Sequence, residues 1–227
     1  MRAKEGEGKN GIGVLELGFL RNFKKYACSF PEATHCKSDW DWLALGRHHG
    51  WDTRLLDWTA SPLVALHNAT CDEKDFDKNG VVWVVNCTKI HKELPPCVKI
   101  MLGESGDPIL PNSEKVGRFA ETIQVFDSFC DKPFLMFFEP YSIDARIVNQ
   151  YAMFSVMNGA DHFVRKYLSE KLKDPRAVRR VRIPWRLKPK IRNMLDQCNI
   201  TERMLYPDLD GLAAWLNRYY GPRKKSD

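Results

Sequence analysis

The chain has 227 residues, of which 44% are apolar and 28% charged, and its formal net charge is +6. These values are typical of an ordinary globular protein built around one core. No apolar run reaches the roughly 18 residues needed to cross a bilayer, and residues 1–9 lack the apolar region of a secretory signal, so we expect no membrane partner. The seven cysteines contain no CxxC pair, which disfavours a structural metal and indicates reduced thiols in a cytoplasmic protein.

Helical patterns dominate the first third of the chain. Apolar residues recur at helical spacing over residues 14–27. Ser38 is a candidate N-cap for a helix that Gly50 ends, and Ser61-Pro62 begins another helix. Three apolar residues of that helix are expected to face inward: Leu63, Val64 and Leu66.

Strands and helices alternate in the remainder. A turn at 77–80 leads into the apolar run VVWVVN, which predicts a buried strand. Residues 93–118 hold four prolines and three glycines and predict a long loop. Further elements are predicted in chain order: strand 134–138, helix 143–150, strand 153–157, strand 181–184, helix 185–197 and helix 208–220. This mixture predicts an α+β class, with a mixed sheet and helices packed around it in a single domain.

Residues 43–66 combine polar side chains with apolar ones typical of a core. Two imidazoles, two guanidiniums and two carboxylates lie within eleven residues. Polar groups held so near a core must be hydrogen-bonded, or each costs ~1–3 kcal/mol. The segment therefore forms either an internal polar network or a ligand site. The candidate residues of the segment are Arg47, His48, His49, Thr53, Arg54, Asp57, Trp58 and Thr59.

Several of these residues allow two interpretations. Arg54 and Asp57 either pair with each other, or Arg54 faces a pyrophosphate while Asp57 fixes its rotamer. His49 is a candidate buried histidine, which would leave His48 to face the site. Trp58 is better explained as a core residue than as a stacking platform. Adjacent imidazoles on a helix diverge by about 100°, so this pair does not predict a metal site.

A basic stretch covers residues 161–192, where twelve Lys and Arg stand against three acidic residues. Such a block attracts the phosphates of a nucleic acid or a nucleotide. The alternative is a solvated face, since the basic residues alternate with the core candidates Val178, Val181 and Ile183. A nucleic-acid site here would use Arg179, Arg180 and Arg182, with Trp185 and Tyr167 as stacking groups.

The segment LALGRHHGWDTRLLDWTASPLVAL resembles the hallmark segment of FRG domains. RIVNQYAMF at 146–154 and LYPDLDGL at 205–212 resemble two later motifs of that family. Together they predict an FRG-like domain over 15–220, a flexible segment at 1–14 and a basic tail at 221–227. Three positions depart from the family's usual Gln, Pro and Gly: Arg47, Asp52 and Ala152.

The (Phe/Tyr)-Arg-Gly motif that names the family is expected upstream of the first helix. Nothing in residues 1–14 matches it. We therefore expect either that the chain starts late or that this copy is degenerate. A degenerate copy would be a non-catalytic scaffold.

The resemblance also implies an activity. FRG domains accompany bacterial and phage conflict systems, where such effectors serve as toxins or in defence, and their layout is similar to the ADP-ribosyltransferase plan. It implies an NAD pocket, a protein or nucleic-acid target, no metal, and transfer or hydrolysis of the ADP-ribosyl group. Catalytic candidates under this plan are His48, Arg54, Asp57, Gln150 and Glu139. Cofactor-binding candidates are Arg47, His49, Thr53, Thr59 and Arg146.

Two of the late candidates differ in what they could do. Gln150 cannot act as a general base, because an amide does not titrate near neutral pH. We expect it to hydrogen-bond a ribose hydroxyl of NAD. Glu139 is the nearest carboxylate in the sequence and is the candidate acid or base.

Overall fold

The computed structural model describes residues 9–103, 110–141 and 145–221, and it contains two compact units. Unit 1 takes its described residues from Met1–Trp58, Val85–Ile143 and Met153–Arg179, and unit 2 from Thr59–Val84, Asp144–Ala152 and Arg180–Asp227. Helices and strands intermix throughout, so the predicted α+β class is confirmed. In the described ranges the strands form two small sheets.

Unit 1 holds most of the helices and the larger sheet, each element being assigned to the unit that contains most of its residues. The helices are α1 Lys9–Ala27, α2 Asp39–His48, α4 Cys87–His91, α5 Pro96–Leu102, α6 Ser113–Phe119, α7 Ile123–Asp127 and α9 Val164–Lys171. The strands are β1 Leu56–Thr59, β3 Leu135–Phe138 and β4 Ala152–Met157, in the order β1-β4-β3. β3 and β4 are antiparallel, with Leu135 opposite Met157 and Phe138 opposite Phe154.

Local sequence signals explain where α2 begins and ends. Ser38 is its N-cap, as predicted, and its backbone N–H donates to Asp41 Oδ2 at 2.9 Å in a capping box. The helix stops at His48, two residues before Gly50, which adopts a positive φ of 85°. The cap fixes the start of the helix that carries Arg47 and His48.

The core of unit 1 lies between α2, α6, α7 and the three-stranded sheet. Trp40, Phe126, Phe138 and Val156 are fully buried in it. Trp40 Nε1 donates to the carbonyl of Ala120 at 2.5 Å, so the indole is buried with its only donor satisfied. This packing gives α2 and β1, which carry Arg47 and Asp57, a rigid support.

Unit 2 is a smaller set of helices with a two-stranded sheet. Its helices are α3 Pro62–Thr70, α8 Ala145–Asn149, α10 Lys188–Gln197, α11 Glu202–Leu205 and α12 Leu209–Tyr220. Its strands are β2 Gly80–Val85 and β5 Val178–Ile183, which pair with each other. Ser61 and Asp208 cap α3 and α12 through their side chains, which accept from Val64 N–H and Gly211 N–H.

The predicted loop over 93–118 is wrong over much of its length, because α5 and α6 occupy it. Pro96 is the first residue of α5, a position where its missing N–H costs no helical hydrogen bond. Asn112 caps α6 by accepting from Lys115 N–H at 2.8 Å. Residues 104–109 lie outside the described residues.

Other boundaries and burial predictions also differ from the structure. α1 begins at Lys9, five residues before the predicted start, and residues 1–8 of the predicted flexible segment lie outside the described ranges, as do 222–227 of the tail. The strand VVWVV is only partly buried, since Val81 and Val84 are about half exposed. Leu63 is 39% exposed where an inward side chain was predicted, whereas Val64 is buried. The helix predicted over 185–197 begins with a 3-10 turn at Trp185–Leu187.

Candidate functional site

Arg54 is the most deeply engaged polar residue of the segment 43–66. Its side chain is 8% exposed, and it lies between two carboxylates of unit 1. Its Nε donates to Glu16 Oε1 at 2.8 Å and its Nη1 to Asp127 Oδ1 at 2.7 Å. Burial alone would lower the pKa of Arg54, but the hydrogen bonds and charges of both carboxylates raise it above its ordinary value. Arg54 therefore stays charged with both edges of its guanidinium occupied.

Asp127 connects this ion pair to a second loop of unit 1. Its Oδ1 also accepts the backbone N–H of Gly159 at 2.8 Å. Gly159 has a positive φ of 80°, a conformation that most other residues adopt only with strain. Arg54 thus joins α1, the end of α7 and the loop after β4, which is a structural role.

The predicted pair of Arg54 with Asp57 is wrong, as is the alternative in which Asp57 fixes the rotamer of Arg54. Asp57 instead accepts from Arg47, whose Nε and Nη2 lie 2.7 and 2.5 Å from Asp57 Oδ2. The side chain of Asp57 is 54% exposed and that of Arg47 is 27% exposed. Asp57 is exposed in β1, whereas Arg54 is held by Glu16 and Asp127.

His48 and His49 follow Arg47 at the end of α2. Their rings are 5.0 Å apart and nearly perpendicular. His49 is exposed, so its predicted burial is wrong, and His48 is half-buried. The helix ends between them, which separates their directions.

Three further residues of the segment support the sheet and the turn. Trp58 Nε1 donates to the buried Ser155 Oγ at 2.8 Å, and its ring packs edge-on against Phe137. Trp58 is only half-buried and lies outside the buried core cluster, so its predicted place in the core is not confirmed, although its contacts are structural. Thr53 Oγ1 accepts from Leu55 N–H at 3.3 Å. A Cβ on Gly46 would lie 2.2 Å from the ring of Trp51, so this helical position requires glycine.

Residues 3–78 match the family model of the FRG domain.

The predicted family resemblance is thereby confirmed for this part of the chain, here called the FRG segment. No curated protein and no solved structure matches the chain. The motifs at 146–154 and 205–212 lie beyond the match, so the predicted extent of 15–220 stays a prediction.

The candidates that fall in unit 2 are engaged within that unit. Thr59 Oγ1 donates to the carbonyl of Gln150 at 2.6 Å, and Gln150 Nε2 donates to the carbonyl of Leu205 at 3.0 Å. The guanidinium of Arg146 lies 4.7 Å from the ring centroid of Tyr206. These contacts explain why the FRG-like motifs 146–154 and 205–212 occur together: they pack α8 against α11.

Glu139 lies in unit 1 with Arg47, Arg54 and Asp57, but these three side chains bond to other partners: Arg47 to Asp57, and Arg54 to Glu16 and Asp127. Glu139 is exposed, and its backbone N–H and carbonyl bond to Pro111 and Ser113 at 2.9 Å each. The predicted catalytic set is thus divided, with Gln150 in unit 2 and the others in unit 1.

The basic strand β5 presents its arginines to solvent. Arg179, Arg180 and Arg182 are exposed, and Val178 and Ile183 at the strand ends are buried. Val181 is 46% exposed, so its predicted place in the core is wrong. Arg180 and Arg182 share one face, since alternate residues of a strand point the same way.

Two tryptophans accompany these arginines in unit 2. The guanidinium of Arg180 lies 5.5 Å from the ring centroid of Trp83 on β2. Trp185 is 41% exposed, and its backbone N–H donates to Asn79 Oδ1 at 3.0 Å. The guanidinium of Arg186 lies 5.2 Å from the ring centroid of Trp185. The sequence analysis did not include Trp83 among the stacking groups. A tryptophan in a valine-rich strand, with an arginine-rich strand elsewhere in the chain, could have indicated it.

Other basic residues of 161–192 serve the fold instead. Lys188 is 3% exposed and donates to the carbonyl of Asp75, and Lys171 binds Glu93 in unit 1. Tyr167, predicted as a stacking group, is bonded to Glu93 and has Lys171 against its ring. Burial and the charge of Glu93 raise the pKa of Tyr167 to about 12.

In the described part of the chain, no helix is long and apolar enough to span a membrane.

Proposed function

We propose that this protein binds nucleic acid through the ribbon surface, which comprises Trp83, Arg180, Arg182, Trp185 and Arg186. The observation that carries the proposal is the exposed face of β5, where Arg180 and Arg182 lie side by side and Arg180 contacts Trp83. Arginines in this arrangement bind phosphates, and neighbouring aromatic rings add stacking.

The local charge supports this role. Residues 178–192 contain seven basic residues and no acidic one. Lys188 and Arg192 are buried and bonded within unit 2. Five basic residues remain exposed: Arg179, Arg180, Arg182, Arg186 and Lys190. Each phosphate that such a residue neutralises releases a counterion, which is the main source of affinity for nucleic acid.

The shape of the sheet is also suitable. Asn79 bonds to Trp185 at one end of the strand pair, and Asn86 bonds to Ala177 at the other, so the two strands run in opposite directions. A two-stranded antiparallel ribbon fits the major groove of duplex DNA. The exposed ring of Trp185 also provides a stacking platform for an unpaired base.

The direct experiment measures binding of fluorescently labelled duplex and single-stranded oligonucleotides by anisotropy. The triple variant Arg180→Gln, Arg182→Gln, Arg186→Gln is expected to bind at least roughly tenfold more weakly at about 0.1 M salt. The matched control removes three exposed charges from α9 and the turn after it: Arg165→Gln, Lys166→Gln, Lys173→Gln. Equal losses in both variants would indicate general basicity and contradict the proposal.

We propose, as a second candidate, that the FRG segment transfers or hydrolyses the ADP-ribosyl group of NAD. This activity would suit an effector of a bacterial or phage conflict system, as the family resemblance implies. The supporting observation is the exposed Arg47–Asp57 pair beside His48 and His49. An exposed ion pair contributes little to stability, so this one is suited to contact a ligand. Arg54 is excluded from that site because Glu16 and Asp127 occupy its guanidinium.

The second candidate has its own assay. Incubation with NAD should release nicotinamide, and the variant Arg47→Ala should reduce the release without a change in unfolding midpoint. The matched control is Arg21→Ala, which removes an exposed arginine of α1. Absence of nicotinamide release from the wild-type protein would overturn this candidate. Absence of both NAD turnover and nucleic-acid binding would leave a scaffold role.

A further inference from the structure

One side of α12 holds this helix against the rest of unit 2. Gly211 is buried, and a Cβ added to it would lie 1.9 Å from the carbonyl oxygen of Tyr206, so the helix approaches Tyr206 closely here. Seven residues later, Arg218 donates to Asp196 and Glu202 at 2.7–2.8 Å. Because Gly211 and Arg218 lie two turns apart on one side, these contacts fix the rotation of α12 about its axis.

The large apolar side chains of α12 lie on a different side and are exposed. Leu209 is 81% exposed, and Leu212 and Leu216 are each 39% exposed. Tyr219 and Tyr220 continue this side at 55% and 74% exposed. The spacing of three and four residues places these side chains along one stripe of the helix. These five residues are here called the leucine face, and the fixed rotation of α12 prevents unit 2 from burying it.

Aromatic contacts order the C-terminal end of the leucine face. The ring of Tyr219 stacks on Trp215, with 5.2 Å between centroids, and the ring of Tyr220 lies edge-on to Tyr219 at 5.0 Å. The guanidinium of Arg203 on α11 lies 4.4 Å from the ring centroid of Trp215. Two tyrosines that are already ordered lose little conformational entropy when a partner binds.

The leucine face is large enough to form an interface. A contiguous exposed apolar patch of more than a few hundred Å² is uncommon on a monomeric protein. The exposed surface of the five side chains is on the order of 600 Å², against the ~800 Å² that each partner buries in a standard interface. The exposed Ala213 and Asn217 flank the leucine face and would supply its rim.

The residues outside the described ranges do not supply a matching apolar surface. They are residues 1–8, 104–109, 142–144 and 222–227, and most of them are polar residues or glycine. Each of these segments has at most two apolar residues. Since a stripe of five large side chains needs a similar stripe opposite it, the occupant has to be another helix of the same kind.

We propose that the leucine face binds the leucine face of a second copy of this chain, with the two α12 helices antiparallel. The spacing of three and four residues is that of helices that pair through one side. A twofold axis between Leu212 and Leu216 places Leu212 of one copy against Leu216 of the other. The same axis places Leu209 against Tyr219. Every side chain of the stripe then meets an apolar one, as a twofold interface requires.

Charge favours the antiparallel orientation. The N-terminal end of α12 carries Asp208 and Asp210, whereas the sequence after the helix continues with Arg223, Lys224 and Lys225. Antiparallel pairing brings the acidic end of one helix to the basic end of the other. Parallel pairing would bring like charges together at both ends.

The experiment measures the mass of the protein by sedimentation velocity over about 1–100 µM protein. The chain of 26.3 kDa should approach twice this mass as its concentration rises. The variant Leu212→Glu, Leu216→Glu places like charges opposite each other and should weaken dimerisation at least about 100-fold. Met194→Glu is the matched control, because it changes an exposed apolar residue of α10 in the same unit, and it should associate like the wild type.

A second variant separates loss of the interface from loss of the fold. In an antiparallel dimer of Leu212→Glu, Leu216→Lys, each glutamate faces a lysine of the other copy, so this variant should dimerise more tightly than the one with two glutamates. Both variants should keep the wild-type Tm measured by circular dichroism at low protein concentration, since the changed residues are partly exposed.

Three outcomes would overturn the proposal. They are a wild-type mass of 26.3 kDa at about 100 µM, a dimer that two glutamates leave intact, and a glutamate–lysine variant that dimerises no better than the one with two glutamates. None of these readouts uses nucleic acid or NAD, so the result is independent of the proposed function.

Discussion

Arg54 Nη1 lies 2.7 Å from Asp127 Oδ1, a contact between residues 73 positions apart. Glu16 binds the other edge of the same guanidinium, so one arginine of the FRG segment holds two distant parts of unit 1. A residue used in this way is not available to bind a phosphate. The arginine that the family resemblance offered for catalysis is therefore a structural residue in this chain.

Replacing Arg54 with Met should greatly destabilise the protein. The variant leaves Glu16, which is 5% exposed, as a buried carboxylate without its partner. Breaking a buried ion pair from one side costs about 3–5 kcal/mol. Urea denaturation measures the loss, and Asp57→Asn is the control, expected to cost no more than about 1 kcal/mol because that pair is exposed. Similar losses in the two variants would contradict the structural role of Arg54.

Trp58→Phe tests the hydrogen bond that joins β1 to β4. Phenylalanine keeps most of the contact with Phe137 but removes the Nε1 donor, which leaves the fully buried Ser155 hydroxyl without it. The free energy of unfolding should fall by about 1–3 kcal/mol. The double variant with Ser155→Ala should recover part of that loss, since it removes the unpaired hydroxyl. Strictly additive effects would show that the two side chains do not interact.

His91 should make the protein less stable in mild acid. Its Nε2 accepts the backbone N–H of Phe137 at 2.9 Å, and burial lowers the pKa of His91 to about 4. Because the ordinary pKa is 6.5, the unfolded chain binds a proton between pH 6.5 and 4 while the folded chain does not. The contribution to stability is complete above pH 6.5 and falls by up to about 3 kcal/mol as the pH drops through this window.

The check is urea denaturation at pH 7.5, 6.0 and 5.0. His91→Gln keeps an acceptor for Phe137 N–H and does not titrate, so its stability should change less over this range. His49→Gln is the matched control, because that imidazole is exposed, and it should follow the wild-type pH profile. A His91→Gln profile that matches the wild type would contradict the prediction.

The sequence predicted elements well where the signal is local. Ser38 caps the helix predicted after it, and the helices predicted to begin at Ser61-Pro62 and at 208 do begin there, capped by Ser61 and Asp208, because a helix start depends on residues within one turn. The loop predicted over 93–118 was wrong because proline has two opposite local effects. Pro96 begins a helix as readily as proline interrupts one, and the sequence alone does not separate the two cases.

The site was harder to predict because partner choice is non-local. Arg54 and Asp57 are three residues apart, yet Arg54 binds Glu16 and Asp127 at separations of 38 and 73, and Asp57 binds Arg47. Their closeness in the sequence favoured the near pair, but Asp57 is exposed in β1. The exposure of Val81 and Val181 has a similar origin, since a strand in a two-stranded sheet has little to cover its faces.

The central claim, that the ribbon surface binds nucleic acid by neutralising phosphates, is tested most directly by the salt dependence of binding. The measurement is the slope of log K against log [NaCl] for a labelled DNA duplex. With five exposed basic residues available, the wild-type slope should be about −4, and the variant Arg180→Gln, Arg182→Gln, Arg186→Gln should reduce its magnitude by about 3. A slope that the triple variant leaves unchanged, or no binding at about 0.05 M salt, would contradict the claim.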